Sequence, residues 1–202
     1  IEKLKKVTDP RPGEEIFGMT MITLKGKTIL VADTNVQDFP SPERLVKVSK
    51  SCVRVARLFG FDPKVAFLSH STFGKPISKN TKHVRDAIEL LKKENVDFDF
   101  DGEMQPDVAL NPIYQDIYPF SKIVGNANIL IMPALHSAAI STKLMKVFGG
   151  GKLIGPLLIG LGSPIEVAPL RASTSEILNL ASIAAYSSDV IDYSKWLKLI
   201  PT

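Results

Sequence analysis

The chain has a single cysteine, Cys52. No internal disulfide can form, so the sequence fits a reducing compartment and a cytoplasmic location is expected. Cys52 also falls on the apolar stripe of a predicted helix, where a thiol acts as a small core side chain. Long apolar runs are absent as well. The longest candidate, Leu153–Gly162, is interrupted by Pro156 and falls short of the ~20 residues a membrane helix needs. No membrane partner is expected. A basic leader followed by an apolar stretch is missing, so no secretory signal is read. Aromatic residues make up 7% of the chain and do not interleave with basic ones, which argues against nucleic acid as a partner. There is no Gly-rich dinucleotide fingerprint after a strand, no Walker A loop and no GxSxG nucleophile elbow.

Charge is present but uneven. From Glu43 to Lys93 there are 12 Lys/Arg against 4 Asp/Glu, and from Glu94 onward 7 against 11. A basic half beside an acidic half suits an anionic small ligand or a complementary partner. Most of these cations nevertheless fall on predicted solvent faces of helices.

Residues 1–18 are polar and contain Pro10, Pro12 and Gly13. They are expected to form a linker or arm. "MTMITLKGKTILVADTNV" predicts a hairpin turning at Lys25-Gly26-Lys27. Ser41-Pro42 predicts a helix start, with Leu45, Val48, Cys52, Val55 and Phe59 inward and Gly60 as its stop. Val65–Ser69 reads as a buried strand, Thr81–Glu94 as a second helix with His83 facing solvent, and "DFDFDGEM" as a strand with one polar face. A strand at Asn128–Pro133, a helix from about Ser137 to Phe148 and a strand in "KLIGPLLIG" follow. The capping box Ser173–Glu176 opens a last helix with Ile177, Leu180, Ala181 and Ala184 inward. Alternating strands and helices predict a doubly wound, mostly parallel α/β sheet with helices on both faces.

Ligands of such sheets bind beyond the carboxyl ends of the strands. Four loops qualify and are expected to converge: Ser69–Lys75, Asp101–Gln105, Pro133–Ser137 and Gly160–Ser175. The first offers Ser69, Ser71 and Thr72 hydroxyls, backbone N–H groups around Gly74, and Lys75, a set that can cradle phosphate. Asp101 and Glu103 are candidates to line the cleft floor, and His70 and His136 both sit at strand ends. No His or further carboxylate stands at ligand spacing from the acidic pair, so no metal site is read.

Taken together these loops resemble those of the phosphate acetyl/butyryltransferase family. "FLSHSTFGKP" is similar to its LSxSTxG loop and "DGEMQPDVAL" to its DGExQxDAA segment. "NANILIMPALHSAAISTKLMKVFGG" resembles ANxLIFPxLxxxNIxYKLxxxxGG, and "IGPLLIGLGSPIEV" resembles IGPxLxGLxKPV. The resemblance implies an isocitrate/isopropylmalate dehydrogenase-like sheet of the phosphotransacetylase type. Residues 19–165 would be its second subdomain and 166–202 a segment returning to complete the first. It also implies that other protein precedes Ile1.

The departures carry equal weight. Active transacetylases of the family have a Ser-Arg-Gly-Cys stretch before the last helix, whose Ser and Arg help position coenzyme A and the acyl phosphate. Pro169-Leu170-Arg171-Ala172 stands there instead, and His136 and Ala139 replace two family asparagines. This matches the phosphotransacetylase-like domain fused after a malic-enzyme domain in bacterial hybrid malic enzymes. The expectation is a non-catalytic domain that binds acetyl-CoA as an effector and supports a homo-oligomer. NADP and a divalent metal would belong only to a preceding domain. Expected contacts to an acyl-CoA or other phosphorylated ligand are Ser69, Ser71, Thr72, Gly74, Lys75, Asp101, Glu103, His136, Lys143 and Arg171. The alternative expectation is a working acyltransferase using Arg171 as its cation.

Overall fold

A computed structural model describes residues 8–32, 38–123, 125–150 and 152–190. The first seven residues of the predicted arm, the close of the first hairpin segment at 33–37 and the end of the return segment at 191–202 lie outside them.

Strands β1 (Phe17–Leu24) and β2 (Lys27–Ala32) form the predicted antiparallel hairpin. Lys25 and Gly26 both have positive φ, 50° and 77°, the combination a two-residue type I′ turn requires. Helix α1 (Pro42–Leu58) follows. The Ser41 hydroxyl accepts from Arg44 N, Pro42 occupies the first turn, and Gly60 lies just past the end with φ 78°. Strand β3 is Lys64–Leu68, helix α2 Lys82–Lys93, strand β4 Asp99–Met104 and the short helix α3 Pro106–Leu110. Strand β5 (Ile129–Ile131), helix α4 (Leu135–Gly149), strand β6 (Lys152–Ile159) and helix α5 (Thr174–Val190) complete the chain order.

The six strands lie in the order β4-β3-β5-β2-β1-β6. β4, β3, β5 and β2 pair in parallel, whereas β1 is antiparallel to both β2 and β6, so one strand of the six is reversed. Helices cover both faces, as the alternation predicted. On one face Leu45, Val48, Cys52 and Val53 of α1, Val84, Ala87, Ile88 and Leu91 of α2 and Leu180 of α5 meet Phe17, Leu30, Val65, Phe67 and Ile129. On the other, Ala109 of α3 and Ala138 of α4 meet Ile22, Val31, Ala66, Leu68 and Leu130. Each large side chain buried this way contributes on the order of 1.5–3 kcal/mol, which is why the nearly continuous apolar strands hold the centre of the sheet.

Several elements differ from expectation. The predicted arm, over residues 8–16, is laid against the body. Pro10 bridges to Leu161, Ile16 is buried, and Glu15 pairs with Arg44 at 2.6 Å and Lys47 at 3.1 Å. β1 already begins at Phe17. The cations of α1 are not simply solvated. Arg54 meets Glu14 at 2.7 Å, Arg57 meets Asp97 at 3.1 Å, and Lys50 pairs with Glu94. α4 ends one residue later than predicted, and Gly150 takes the left-handed position. In α5 the capping box forms as read, but Ile177 and Leu178 are 51% and 67% exposed and Ala181 is exposed. That helix touches the core through Leu180 and Ile183.

Candidate functional site

β3 delivers the Ser69–Lys75 loop to the carboxyl end of the sheet. There it folds onto itself. Ser69 N donates to Met104 O at 2.9 Å, Ser71 N to Ser69 Oγ at 3.2 Å and Phe73 N to Glu103 O at 2.7 Å. Thr72 and Lys75 exchange two backbone hydrogen bonds, of 3.0 and 3.1 Å, around Phe73 and Gly74, whose φ values are 48° and 82°. The expected cradle of free amides is therefore corrected. The N–H groups of Ser71, Thr72, Phe73 and Lys75 are already paired: Thr72 and Lys75 with each other's carbonyls, Ser71 with the Ser69 hydroxyl and Phe73 with the Glu103 carbonyl of β4. Ser69, Ser71 and Thr72 are buried, while His70 and Lys75 face solvent.

The reading of one polar face on β4 also fails at its end. β4 pairs with β3 in register as far as Phe67↔Gly102, then slips so that Leu68 meets Met104. A one-residue slip of this kind reverses the side-chain alternation. Phe100 packs on the α1/α2 face, yet Met104 packs on the opposite one. Asp101, before the slip, and Glu103, within it, are both buried, 8% and 1% exposed. Asp101 accepts from Gly102 N at 2.9 Å and Lys122 N at 2.7 Å, so it fixes the 121–123 segment.

Glu103 accepts from Ser71 Oγ at 2.6 Å and, through both oxygens at 3.2 Å, from Arg85 Nη1. Arg85 also donates to Thr81 Oγ1 at 2.6 Å and Ser78 O at 2.9 Å. Sequence reasoning missed Arg85. The spacing of α2 placed it among solvent-facing cations, and only the slip in β4 turns a carboxylate toward it.

Gln105 closes the junction, donating from its backbone to Thr72 Oγ1 at 3.2 Å and from Nε2 to His70 O at 2.7 Å. Phe73 packs against Tyr118 and Phe120, with ring centroids 5.3 and 4.9 Å away. His83, expected in solvent, is half-buried: Nε2 lies 2.9 Å from Pro133 O and the ring rests 4.3 Å from that of Phe39. Two of the expected loops, Ser69–Lys75 and Asp101–Gln105, thus join directly, while Pro133 is tied to α2 through His83. His136, in the first turn of α4, and Lys143, past its middle, are exposed.

The fourth loop does not join them. It leaves β6, four strand positions from β3, about 19 Å at normal strand spacing. Pro169, Leu170 and Arg171 are exposed there, Leu170 completely. The expected convergence of all four loops fails because β1 and β2 lie between β5 and β6. Near this edge a cavity of about 70 Å³ is lined by residues including Arg11, Glu14, Arg54, Glu166 and Tyr186. Burial raises the Glu166 carboxyl to about 7, against a weaker opposing hydrogen bond from Leu158 N at 3.2 Å. Among the described residues no three metal-ligating side chains come together, and no helix is long and apolar enough to cross a membrane.

Residues 1–185 match the family profile described as phosphate acetyl/butaryl transferase. The chain belongs to this family. It is similar to a Rhizobium meliloti protein named NADP-dependent malic enzyme, 43% identical over 93% of this chain and 25% of that protein. A phosphate acetyltransferase of Clostridium acetobutylicum is 34% identical over 77% of this chain and 47% of its own length. The fold matches that of a Streptococcus pyogenes phosphotransacetylase, with TM-score 0.84 and 30% identity over 90% of this chain and 56% of that one. The chain spans about a quarter of the length of the malic enzymes it matches. Within the family it corresponds to their phosphotransacetylase-like domain.

Proposed function

We propose that this is a non-catalytic, acyl-CoA-binding domain that regulates an attached malic-enzyme-type oxidoreductase and supports its assembly. One observation carries the reading. Pro169 and Leu170 stand where the family resemblance places the Ser-Arg pair, and they bring neither a hydroxyl nor a charge. Loss of a cation that neutralises an acyl phosphate removes transition-state stabilisation worth on the order of 10²–10³ in rate. Arg171, one position later and exposed, is the nearest substitute in the sequence. The similarity to a malic enzyme at 43% identity, against 34% for an acetyltransferase, supports the same side of the choice.

Acetyl-CoA would lie along the rim made by His70, Lys75 and Gly74, with His136 and Lys143 beside it. It regulates to the extent that it favours one of two conformations of the assembly. NADP and a divalent metal would serve the oxidoreductase portion.

The test is acetyl-CoA titration of the natural full-length protein. Saturation at about 100 times Kd stabilises a bound fold by about 2.7 kcal/mol, read as a shift in thermal unfolding. No shift at millimolar ligand overturns the binding claim. Rapid acetyl-CoA formation from acetyl phosphate, lost in Arg171→Ala, overturns the non-catalytic one and supports a working acyltransferase.

A further inference from the structure

We propose that Arg85 is the positioning residue of the Ser69–Lys75 loop and acts on it through Glu103. As regards the ligand, this rests on the acyl-CoA reading; as regards the loop, it stands on geometry alone. The direction of each hydrogen bond can be assigned. A carboxylate only accepts, so the 2.6 Å contact is Ser71 Oγ–H donating to Glu103. With that proton committed, the 3.1 Å contact between Ser69 Oγ and Ser71 Oγ has Ser69 as donor. Ser69 Oγ in turn accepts from Ser71 N. The chain runs one way, from Ser69 through Ser71 to Glu103, and it terminates on the charge that Arg85 balances.

Glu103 holds the loop at a second point, since its main-chain carbonyl accepts from Phe73 N at 2.7 Å. Ser71 is 0% exposed and so is the Glu103 side chain. Neither can touch a ligand in this arrangement. Their effect is to set the direction in which His70, Gly74 and Lys75 are presented. Arg85 is suited to this because its planar fork reaches three segments at once: β4, the Thr81 hydroxyl at the start of α2, and Ser78 O. A lysine keeps the charge but cannot hold all three.

The experiment compares the full-length wild type with Arg85→Lys by amide hydrogen exchange and by acetyl-CoA calorimetry, well below either melting temperature. The expected result is at least about tenfold faster exchange at Thr72 and Phe73, with α1 amides unchanged, and about tenfold weaker acetyl-CoA binding. Should Arg85→Lys not fold, Arg85→Gln with Glu103→Gln, which removes both charges of the pair and leaves neither unpartnered, gives the same comparison with the same expected result. If loop and α1 amides accelerate together, or neither does, Arg85 has no positioning role and the proposal is overturned. Faster loop exchange with unchanged affinity for acetyl-CoA overturns its link to the ligand. A wild type that does not bind acetyl-CoA while loop exchange still responds to Arg85→Lys sinks the functional reading and leaves the positioning role standing.

Discussion

The two edges of this sheet treat polar groups in opposite ways. At the β3/β4 edge Ser69, Ser71, Asp101 and Glu103 are buried, and each is hydrogen-bonded to protein. At the β6 edge Pro169, Leu170 and Arg171 are exposed, and large apolar side chains are exposed near them on α5 and α4, including Ile177, Leu178, Val147 and Phe148. A buried polar network specifies one geometry, because every unpaired member would be costly. An exposed turn specifies little by itself. The first edge is built to hold a shape through buried side chains, whereas the exposed turn at the β6 edge is closed by a backbone hydrogen bond of its own, Ala172 N donating to Pro169 O at 2.9 Å.

The largest effect that can test this contrast is Gly102→Ala. Gly102 has φ 146°, and a Cβ there would sit 2.6 Å from Phe67 O and 3.0 Å from Phe67 Cβ. Backbone strain and overpacking each cost about 1–3 kcal/mol, so a loss of roughly 4 kcal/mol in urea unfolding is expected. Wild-type stability would show that the β3/β4 edge is soft, and the comparison would fail.

Next in size is the response to pH at the other edge. Glu166 is protonated more readily in the folded chain, with its carboxyl raised by burial from 4.5 to about 7. Between those values the native state binds more protons than the unfolded one. The stability contributed by this group is therefore fully present below about 4.5, declines as pH rises to about 7, and is level above. Because the group is part-exposed, the decline is expected to be on the order of 1–2 kcal/mol. Glu166→Gln keeps an acceptor for Leu158 N and should remove that slope from the pH profile of the melting temperature. An unaltered slope would assign it to other carboxyls.

Local chemistry was legible in the sequence. The Lys25-Gly26 turn, the Ser41-Pro42 start of α1 and the Ser173–Glu176 box each depend on a few adjacent residues, and each forms as read. Features set by strand order or register were not. The slip after Phe67 buries Glu103 and gives Arg85 its partner, and neither residue signals that on its own. Convergence of the fourth loop failed for a similar reason. Hairpin β1–β2 is inserted between β5 and β6, so a loop at the correct end of the sheet is still strands away from the others. Of the residues read as the inward face of α5, Leu180 is buried but Ile177 and Ala181 are exposed, because what the helix packs on is not written in its own spacing.

Ser173→Ala gives a smaller change. The Ser173 hydroxyl accepts from Glu176 N at 3.2 Å, and its amide donates to Glu176 Oε2 at 2.8 Å. Its removal should cost about 1 kcal/mol, read by urea unfolding. A null effect would mean that the first turn of α5 is frayed, which sharpens the contrast between the edges.

The smallest expected change is at Leu170. Its side chain is fully exposed, so Leu170→Ser removes no buried contact and should alter stability by less than about 0.5 kcal/mol. The same position is where a transacetylase of this family needs its cation, so Leu170→Arg should be equally neutral in folding. If Leu170→Arg together with Pro169→Ser produced acetyl-CoA from acetyl phosphate, the rest of the cleft would still be competent for catalysis. If it did not, the two edges have diverged beyond the missing pair, and the distance between β3 and β6 is the place to look for the reason.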